Sequence, residues 1–141
     1  MDDLTRLRLR SQLERDEGRK NHMYPDSRGV LTIGIGHNLR DRPISDRAVD
    51  QIFEDDLLET EKELVAGIPW VTDLTGARYG VVMNMAYNLG VQGLLGFHDM
   101  LAALKDSNWE RAADAMRDSK WSEQVGPRAT RLERQMISGE W

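Results

Sequence analysis

The chain has no cysteine among its 141 residues, and it has only four prolines and three histidines. The lack of cysteine excludes disulfides and thiol nucleophiles, although it leaves the redox compartment undecided. No apolar run approaches the roughly 18 residues of a membrane-spanning helix, so we expect no insertion into a membrane. The first residues lack an apolar stretch behind a basic start, and we therefore expect no Sec-type signal peptide.

Basic patches are also scarce, because the net charge of −5 is unevenly distributed. Residues 1–40 carry eight basic and six acidic side chains, whereas residues 41–73 carry three basic and ten acidic ones. A chain without a basic stripe offers no surface for nucleic acid, and we expect no nucleic-acid partner. The acidic block is typical of a solvated helix face. No apolar stripe is left over for a second copy, so we expect a monomer.

The length fits one domain over 1–141, and its first 44 residues contain two predicted segments. A first helix is predicted for 1–18, because Asp3 or Thr5 can cap a helix over 3–17 and Gly18 can end it. A small antiparallel β lobe is predicted for 19–44, where the pattern changes to a two-residue period around turn residues.

The remaining residues are predicted to form helices. A long inter-lobe helix occupies 45–67, with Ser45 as its cap and Val49, Ile52 and Phe53 on its inner face. A helical lobe follows over 68–141, and we expect the four tryptophans to pack inside it.

The helical lobe is built around one apolar segment. Residues 74–89 are apolar almost all round, which predicts a buried central helix closed by Gly90. Beyond a loop over 90–96, shorter helices are predicted near 97–106, 109–118 and 128–138. The predicted fold class is therefore α+β and mostly helical.

Three side chains between positions 17 and 32 are typical of a glycosidase. Glu17 lies at the predicted end of the first helix, where the negative end of the helix dipole favours a protonated carboxyl, as a general acid requires. Asp26 lies in a polar turn, where we expect it to stay ionised. Two carboxyl groups in different surroundings can divide acid and base roles, and the hydroxyl of Thr32 can hold a water molecule.

A glycine-containing strand follows this turn. Side-chain alternation would place Thr32, Gly34 and Gly36 on one face of it, and Ile33, Ile35 and His37 on the other. The two glycines would let a sugar lie against bare backbone. Each feature alone has an ordinary interpretation, as an exposed helix end, a turn-forming aspartate or a strand bulge.

The order and spacing of these residues form a recognisable pattern. The motif Asp16-Glu17-Gly18, Tyr24-Pro25-Asp26, Gly29 and Thr32-Ile33-Gly34-Ile35-Gly36-His37 resembles the signature of phage-type lysozymes, the endolysin muramidases of glycoside hydrolase family 24. The similarity continues through 84–90, 96–97 and 109–141. It implies a lysozyme-like, two-lobed fold, with a β lobe shorter than in well-known members.

The resemblance also implies a reaction and a set of residues. The reaction is cleavage of the β-1,4 bond between N-acetylmuramic acid and N-acetylglucosamine in peptidoglycan. Glu17 would be the proton donor, while Asp26 and Thr32 would position the water. Residues predicted to bind substrate are Gly36, Asn38, Tyr87 and Asn88. Supporting residues are Arg128, near the glutamate, and His37 with Asp56, which would form a buried ion pair.

Partners and location follow from the same resemblance. The substrate would be the glycan strands of peptidoglycan, and no cofactor or metal ion is expected. The protein would stay in the host cytoplasm until a separate holin released it to the cell wall, or it would ride in the virion. We expect host cell lysis to be its role.

Three other functions would require different residues. A zinc amidase would need a set of ligands in fixed geometry, but the chain has only His22, His37 and His98 and no His-Glu-x-x-His motif. A lytic transglycosylase would keep the acid without requiring Asp26 and Thr32. A catalytically silent wall-binding or virion structural domain is the alternative from another class.

Overall fold

The computed structural model describes all residues from Met1 to Trp141, in two units that divide within a helix between Gln51 and Ile52. The first unit contains helix α1 (Asp3–Glu17) and strands β1 (Lys20–Pro25), β2 (Leu31–Gly34) and β3 (His37–Asn38). Helix α2 (Asp46–Gly67) begins in the first unit and continues into the second. The oxygen Oγ of Ser45 accepts the N–H of Ala48, as the sequence predicted for a cap.

Helix α1 has the predicted length but a different cap. Asp2, and not Asp3 or Thr5, precedes the helix with extended backbone, and its carboxylate accepts the backbone N–H of Thr5 at 2.8 Å. The hydroxyl of Thr5 donates to the same carboxylate at 2.9 Å. At the other end Gly18 has a φ of 76°, which glycine adopts without a steric penalty.

The three strands form one antiparallel sheet in the order β1-β2-β3. Tyr24 lies opposite Thr32 across β1 and β2, and Thr32 lies opposite Asn38 across β2 and β3. The prediction of one continuous strand through Thr32–His37 was wrong. Gly34 and Gly36 have φ values of 67° and 66°, so the chain reverses there and strict alternation ends at Gly34.

The second unit is built from helices. A 3₁₀ turn (Pro69–Asp73) precedes α3 (Gly76–Leu89), α4 (Val91–Leu95), α5 (His98–Lys105), α6 (Trp109–Arg117), α7 (Lys120–Val125) and α8 (Pro127–Ser138). Helix α3 confirms the predicted central helix, since six of its residues are buried and Gly90 follows it with a φ of 74°. The loop predicted over 90–96 was wrong, because most of it forms α4. Helix α7 was not predicted.

The apolar core of this unit joins α3 to the helices that follow it. It includes Leu64, Val81, Met85, Met100, Leu104, Met116, Trp121 and Met136. Trp70 and Trp109 are half-buried against the core, as predicted, whereas Trp141 is 87% exposed, contrary to expectation. The edge of its ring nonetheless lies against Gly80 of α3.

The predicted inner face of α2 holds only in its second half. Leu57 is half-buried and Leu64 fully buried against the core, but Val49, Ile52 and Phe53 are exposed. Eight helices and one small antiparallel sheet nonetheless confirm a mostly helical α+β fold. None of the helices combines the length and apolar character required to cross a membrane.

Candidate active site

The carboxyl group of Glu17 lies against the turn between β2 and β3. A Cβ atom built on Gly36 would stand 2.9 Å from Oε2 of Glu17 and 3.2 Å from its Cδ. Glu17 is the last residue of α1 and is exposed. The end of α1 therefore places an accessible carboxyl group beside Gly36, which lies 19 positions further along the chain.

Asp26 organises the turn between β1 and β2 through its own carboxylate. Its Oδ1 accepts the backbone N–H of Arg28 at 2.8 Å and that of Val30 at 2.9 Å. The backbone N–H of Asp26 donates to the carbonyl of Val30 at 2.9 Å, and that of Gly29 donates to the carbonyl of Asp26. The position of this side chain is consequently set by several bonds within five residues.

These bonds also determine the charge of Asp26. The backbone N–H of Val30 is the main cause that lowers the pKa of Asp26. Desolvation, the next largest effect, raises the pKa, and the N–H of Arg28 and the guanidinium groups of Arg28 and Arg40 lower it further. The Arg28 guanidinium is 3.8 Å from Oδ2 and mostly exposed, so it contributes less than the backbone bonds. The lowered pKa agrees with the expectation that Asp26 is ionised at neutral pH.

Thr32 lies in the hairpin whose turn contains Asp26. Tyr24 is opposite Thr32 across β1 and β2, so these two side chains share one face of the sheet. Asp26 lies in the turn that joins the two strands. Thr32 is the one buried polar side chain of the chain, at 3% exposure, and its hydroxyl donates to the carbonyl of Val30 at 3.0 Å.

The first unit thus contains five of the predicted catalytic and substrate-binding residues: Glu17 at the end of α1, Asp26 and Gly36 in the two turns, and Thr32 and Asn38 on the strands. Asn38, opposite Thr32, follows Gly36 by two residues, which is about 7 Å along a strand. Thr32 and Asn38 are therefore direct neighbours on the sheet, and Glu17 lies beside the turn that joins their strands. Tyr24 also belongs to this group, although the sequence analysis did not assign it a role. Its position two residues before Asp26 is the signal that could have found it.

The side chain of Asn38 forms hydrogen bonds within its own turn. Its Oδ1 accepts the N–H groups of Arg40 and Asp41, and its Nδ2 donates to the carboxylate of Asp41 at 2.9 Å. These bonds show Asn38 shaping residues 38–41. Contact with a sugar stays a prediction.

His37 and Asp56 were predicted to form a buried ion pair. The Nε2 atom of His37 lies 3.0 Å from the carbonyl oxygen of Arg42, and because a carbonyl only accepts, Nε2 carries the hydrogen. His37 is half-buried, and Asp56 is exposed and not on a buried face of α2. The pair would join residues of different units, and it stays a prediction.

The other predicted residues line a groove of about 1070 Å³ in the second unit. The Tyr87 ring packs against Phe53 at a centroid distance of 5.9 Å, and Arg128 lies on the exposed side of α8. Asn88 accepts a hydrogen bond from Nε1 of Trp121 at 2.9 Å, so it holds a core aromatic residue in place. A substrate-binding role for Tyr87 and Asn88 stays a prediction.

Comparison with known proteins identifies the family of the chain. A model of the phage lysozyme family matches residues 14–135, a range that includes Glu17, Asp26 and Thr32. The chain belongs to the phage lysozyme family. Its enzyme class is accordingly that of a glycoside hydrolase, a lysozyme.

Several curated proteins resemble this lysozyme-family chain. The endolysin of Salmonella phage P22 is 30% identical, over 74% of this chain and 75% of that protein. A probable T4-type lysozyme of Dictyostelium discoideum is 27% identical, over 88% of this chain and 90% of that protein. The pre-baseplate central spike protein Gp5 of Enterobacteria phage T4 is 29% identical over 98% of this chain, which spans only 29% of the length of that relative.

Proposed function

We propose that the chain hydrolyses the β-1,4 bond between N-acetylmuramic acid and N-acetylglucosamine in peptidoglycan. Glu17 donates a proton to the leaving sugar oxygen, and Asp26 with Thr32 directs a water molecule at the anomeric carbon. The observation that carries this proposal is that the exposed carboxyl group of Glu17 lies beside the turn between β2 and β3, while the hydrogen-bonded carboxylate of Asp26 and the hydroxyl of Thr32 belong to the same small hairpin. Membership of the phage lysozyme family supports the substrate class.

The two carboxyl groups differ in the way this reaction requires. Glu17 is exposed, so its carboxyl group can reach an extended glycan. Asp26 accepts two backbone N–H bonds, which favour its charged form and leave its second oxygen, Oδ2, directed away from them. A charged carboxylate can orient a water molecule or stabilise the positive charge that develops on the sugar ring.

The test of this proposal is clearing of purified peptidoglycan by the parent chain and by Glu17→Gln. General acid catalysis contributes about 10²–10⁴-fold, so we expect the variant to clear at least about 100-fold more slowly. Asp16→Asn is the matched control, because it removes the neighbouring exposed carboxylate and should clear like the parent. Equal clearing by Glu17→Gln and the parent would reject Glu17 as the acid.

The released fragments distinguish hydrolysis from transglycosylation. Hydrolysis leaves a reducing N-acetylmuramic acid end, whereas a transglycosylase leaves an intramolecular ether without a reducing end. Mass spectrometry of the fragments before and after borohydride reduction separates the two. Fragments that resist reduction would favour the transglycosylase, which uses the acid but no positioned water.

The biological role that fits this activity is lysis of a bacterial host. In this proposal the protein waits in the host cytoplasm and meets peptidoglycan glycan strands after a separate holin permeabilises the membrane. The similarity to an endolysin supports this role.

A second role is supported by the similarity to a central spike protein. In that role the chain acts from the virion, as a lysozyme part of an injection apparatus or as a silent structural domain. Immunoblotting of purified particles of the encoding phage tests this, since an endolysin would be absent from them. Presence in the particle together with activity on peptidoglycan would favour the virion enzyme.

A further inference from the structure

Gly36 lies in the turn between β2 and β3. The carboxyl group of Glu17, the proposed proton donor, lies against this glycine. We propose that Gly36 is a positioning residue for Glu17, because the missing side chain creates the space that the carboxyl group occupies. This inference rests on the proposed function of Glu17. It assigns Gly36 a role other than the contact with sugar that the sequence suggested.

The distances show how closely the two residues fit. An ideal Cβ on Gly36 would stand 2.9 Å from Oε2, 3.2 Å from Cδ and 3.4 Å from Cγ of Glu17. Carbon and oxygen atoms without a bond between them do not approach to 2.9 Å without repulsion. Any L-residue at 36 would therefore displace the carboxyl group.

A second glycine in the same turn separates this effect from backbone strain. Gly34 has a φ of 67°, almost equal to the 66° of Gly36, so an L-residue pays a similar conformational penalty at either position. The Cβ direction of Gly34 is open, however, with no atom within 4 Å. Alanine at 34 adds strain alone, whereas alanine at 36 adds the same strain and a collision with Glu17.

The collision should cost little stability. Glu17 is exposed, and its carboxyl group is the far end of a flexible side chain that can swing away from an added methyl group. The expected consequence is a misplaced proton donor in a folded chain. Misplacement of a catalytic group by about 1 Å can reduce the rate about 100-fold.

The experiment compares Gly36→Ala with Gly34→Ala in the full chain. The two variants should have similar urea unfolding midpoints. We expect kcat on purified peptidoglycan to fall about 100-fold in Gly36→Ala relative to Gly34→Ala, with little change in KM. The side-chain carboxyl ¹³C resonance of Glu17, assigned with Glu17→Gln, should shift in Gly36→Ala and stay in place in Gly34→Ala.

Two outcomes would overturn the proposal. One is equal kcat and an equal Glu17 resonance in the two alanine variants. The other is a loss of kcat in Gly36→Ala without movement of that resonance. If alanine unfolds the chain, asparagine at the same two positions repeats the comparison, because asparagine tolerates the left-handed conformation. The resonance reports the position of Glu17 even if Glu17→Gln clears peptidoglycan normally, so a failure of the proposed function is recognised separately.

Discussion

At the scale of single residues, the carbonyl oxygen of Val30 connects two residues of the candidate site. It accepts the hydroxyl of Thr32 and the backbone N–H of Asp26. The hydroxyl oxygen of Thr32 keeps its lone pairs for a water molecule, since it uses its hydrogen in this bond. Thr32 thus uses its hydroxyl hydrogen to stabilise the hairpin, and its hydroxyl oxygen is the atom proposed to hold the water in catalysis.

Thr32→Val should reduce activity more than stability. The carbonyl of Val30 keeps its bond to Asp26, so we expect a loss of about 1 kcal/mol in the free energy of unfolding. Clearing of peptidoglycan should fall at least tenfold, because the water loses its hydroxyl partner. Urea unfolding and clearing assays measure the two effects. Thr32→Ser keeps a hydroxyl and should retain more activity; identical losses in Val and Ser variants would contradict a role for the hydroxyl.

The lowered pKa of Asp26 predicts how stability depends on pH. The N–H of Val30 favours the carboxylate in the folded chain, so this stabilisation is present above the ordinary aspartate pKa and is lost as pH falls through the lower folded value. In Asp26→Asn the amide oxygen can still accept that N–H, but it does not titrate. Between pH 7 and pH 3, the parent should therefore lose more unfolding free energy than the variant.

Urea unfolding at a series of pH values measures this difference. Ser27→Ala alters an uncharged, exposed residue of the same turn and should follow the parent. Parallel pH dependence of the parent and Asp26→Asn would mean that the hydrogen bonds of Asp26 do not couple its protonation to folding.

At the scale of elements, Arg78 on α3 forms hydrogen bonds with the C-terminal end of α8. Its Nε donates to the carbonyl of Met136 at 2.9 Å and its Nη2 to that of Ile137 at 3.0 Å. These are among the last carbonyls of a helix, which lack partners within it. The guanidinium also lies 4.2 Å from the centre of the Trp109 ring on α6, so one side chain connects three helices.

Arg78→Ala should destabilise the second unit. Loss of two bonds from a charged donor and of the ring contact is expected to lower the free energy of unfolding by about 2–4 kcal/mol. Arg78→Lys should recover only part of this, because an ammonium group cannot reproduce the planar fork. Urea unfolding measures both variants. Arg111→Ala, which removes an exposed arginine of α6, is the control, and an equal effect there would deny Arg78 this role.

Elements with local signals were the ones that sequence predicted well. Asp3–Glu17 and Gly76–Leu89 each end before a glycine of positive φ, and Ser45 precedes α2 as a cap. Short helices such as Val91–Leu95 were missed, because five residues contain too few turns to show periodicity. The turn at Gly34–Gly36 was read as strand, since a glycine pair fits a bulge and a reversal equally well.

At the scale of the whole molecule, apolar burial is concentrated in the second unit. The core cluster extends from Leu64 to Met136, while Val30 is the one buried apolar residue of the first unit. Most hydrophobic stabilisation therefore comes from the helices of the second unit, whereas the proposed catalytic trio lies in the first unit, at the end of α1, in the turn between β1 and β2, and on β2. Substitutions in the two units should accordingly affect different properties.

Met85→Ala should test where stability resides. Met85 is 0% exposed at the centre of α3, and truncation of such a residue typically costs about 2–5 kcal/mol. Urea unfolding measures the loss. Leu58→Ala removes a side chain that is 63% exposed on α2 and should change stability by less than about 0.5 kcal/mol. Similar losses in the two variants would contradict a core centred on α3.

The sequence alone determined the longer helices, the turn at Asp26 and the family to which the chain belongs, because caps, glycines and motif spacing act within a few residues. Tertiary structure decided the contacts between distant residues. It brought Glu17 against Gly36, paired Thr32 with Tyr24 and Asn38 across the sheet, and engaged the amide of Asn88 in a bond with Trp121. These outcomes depend on strand register and helix packing, which a local pattern constrains only weakly.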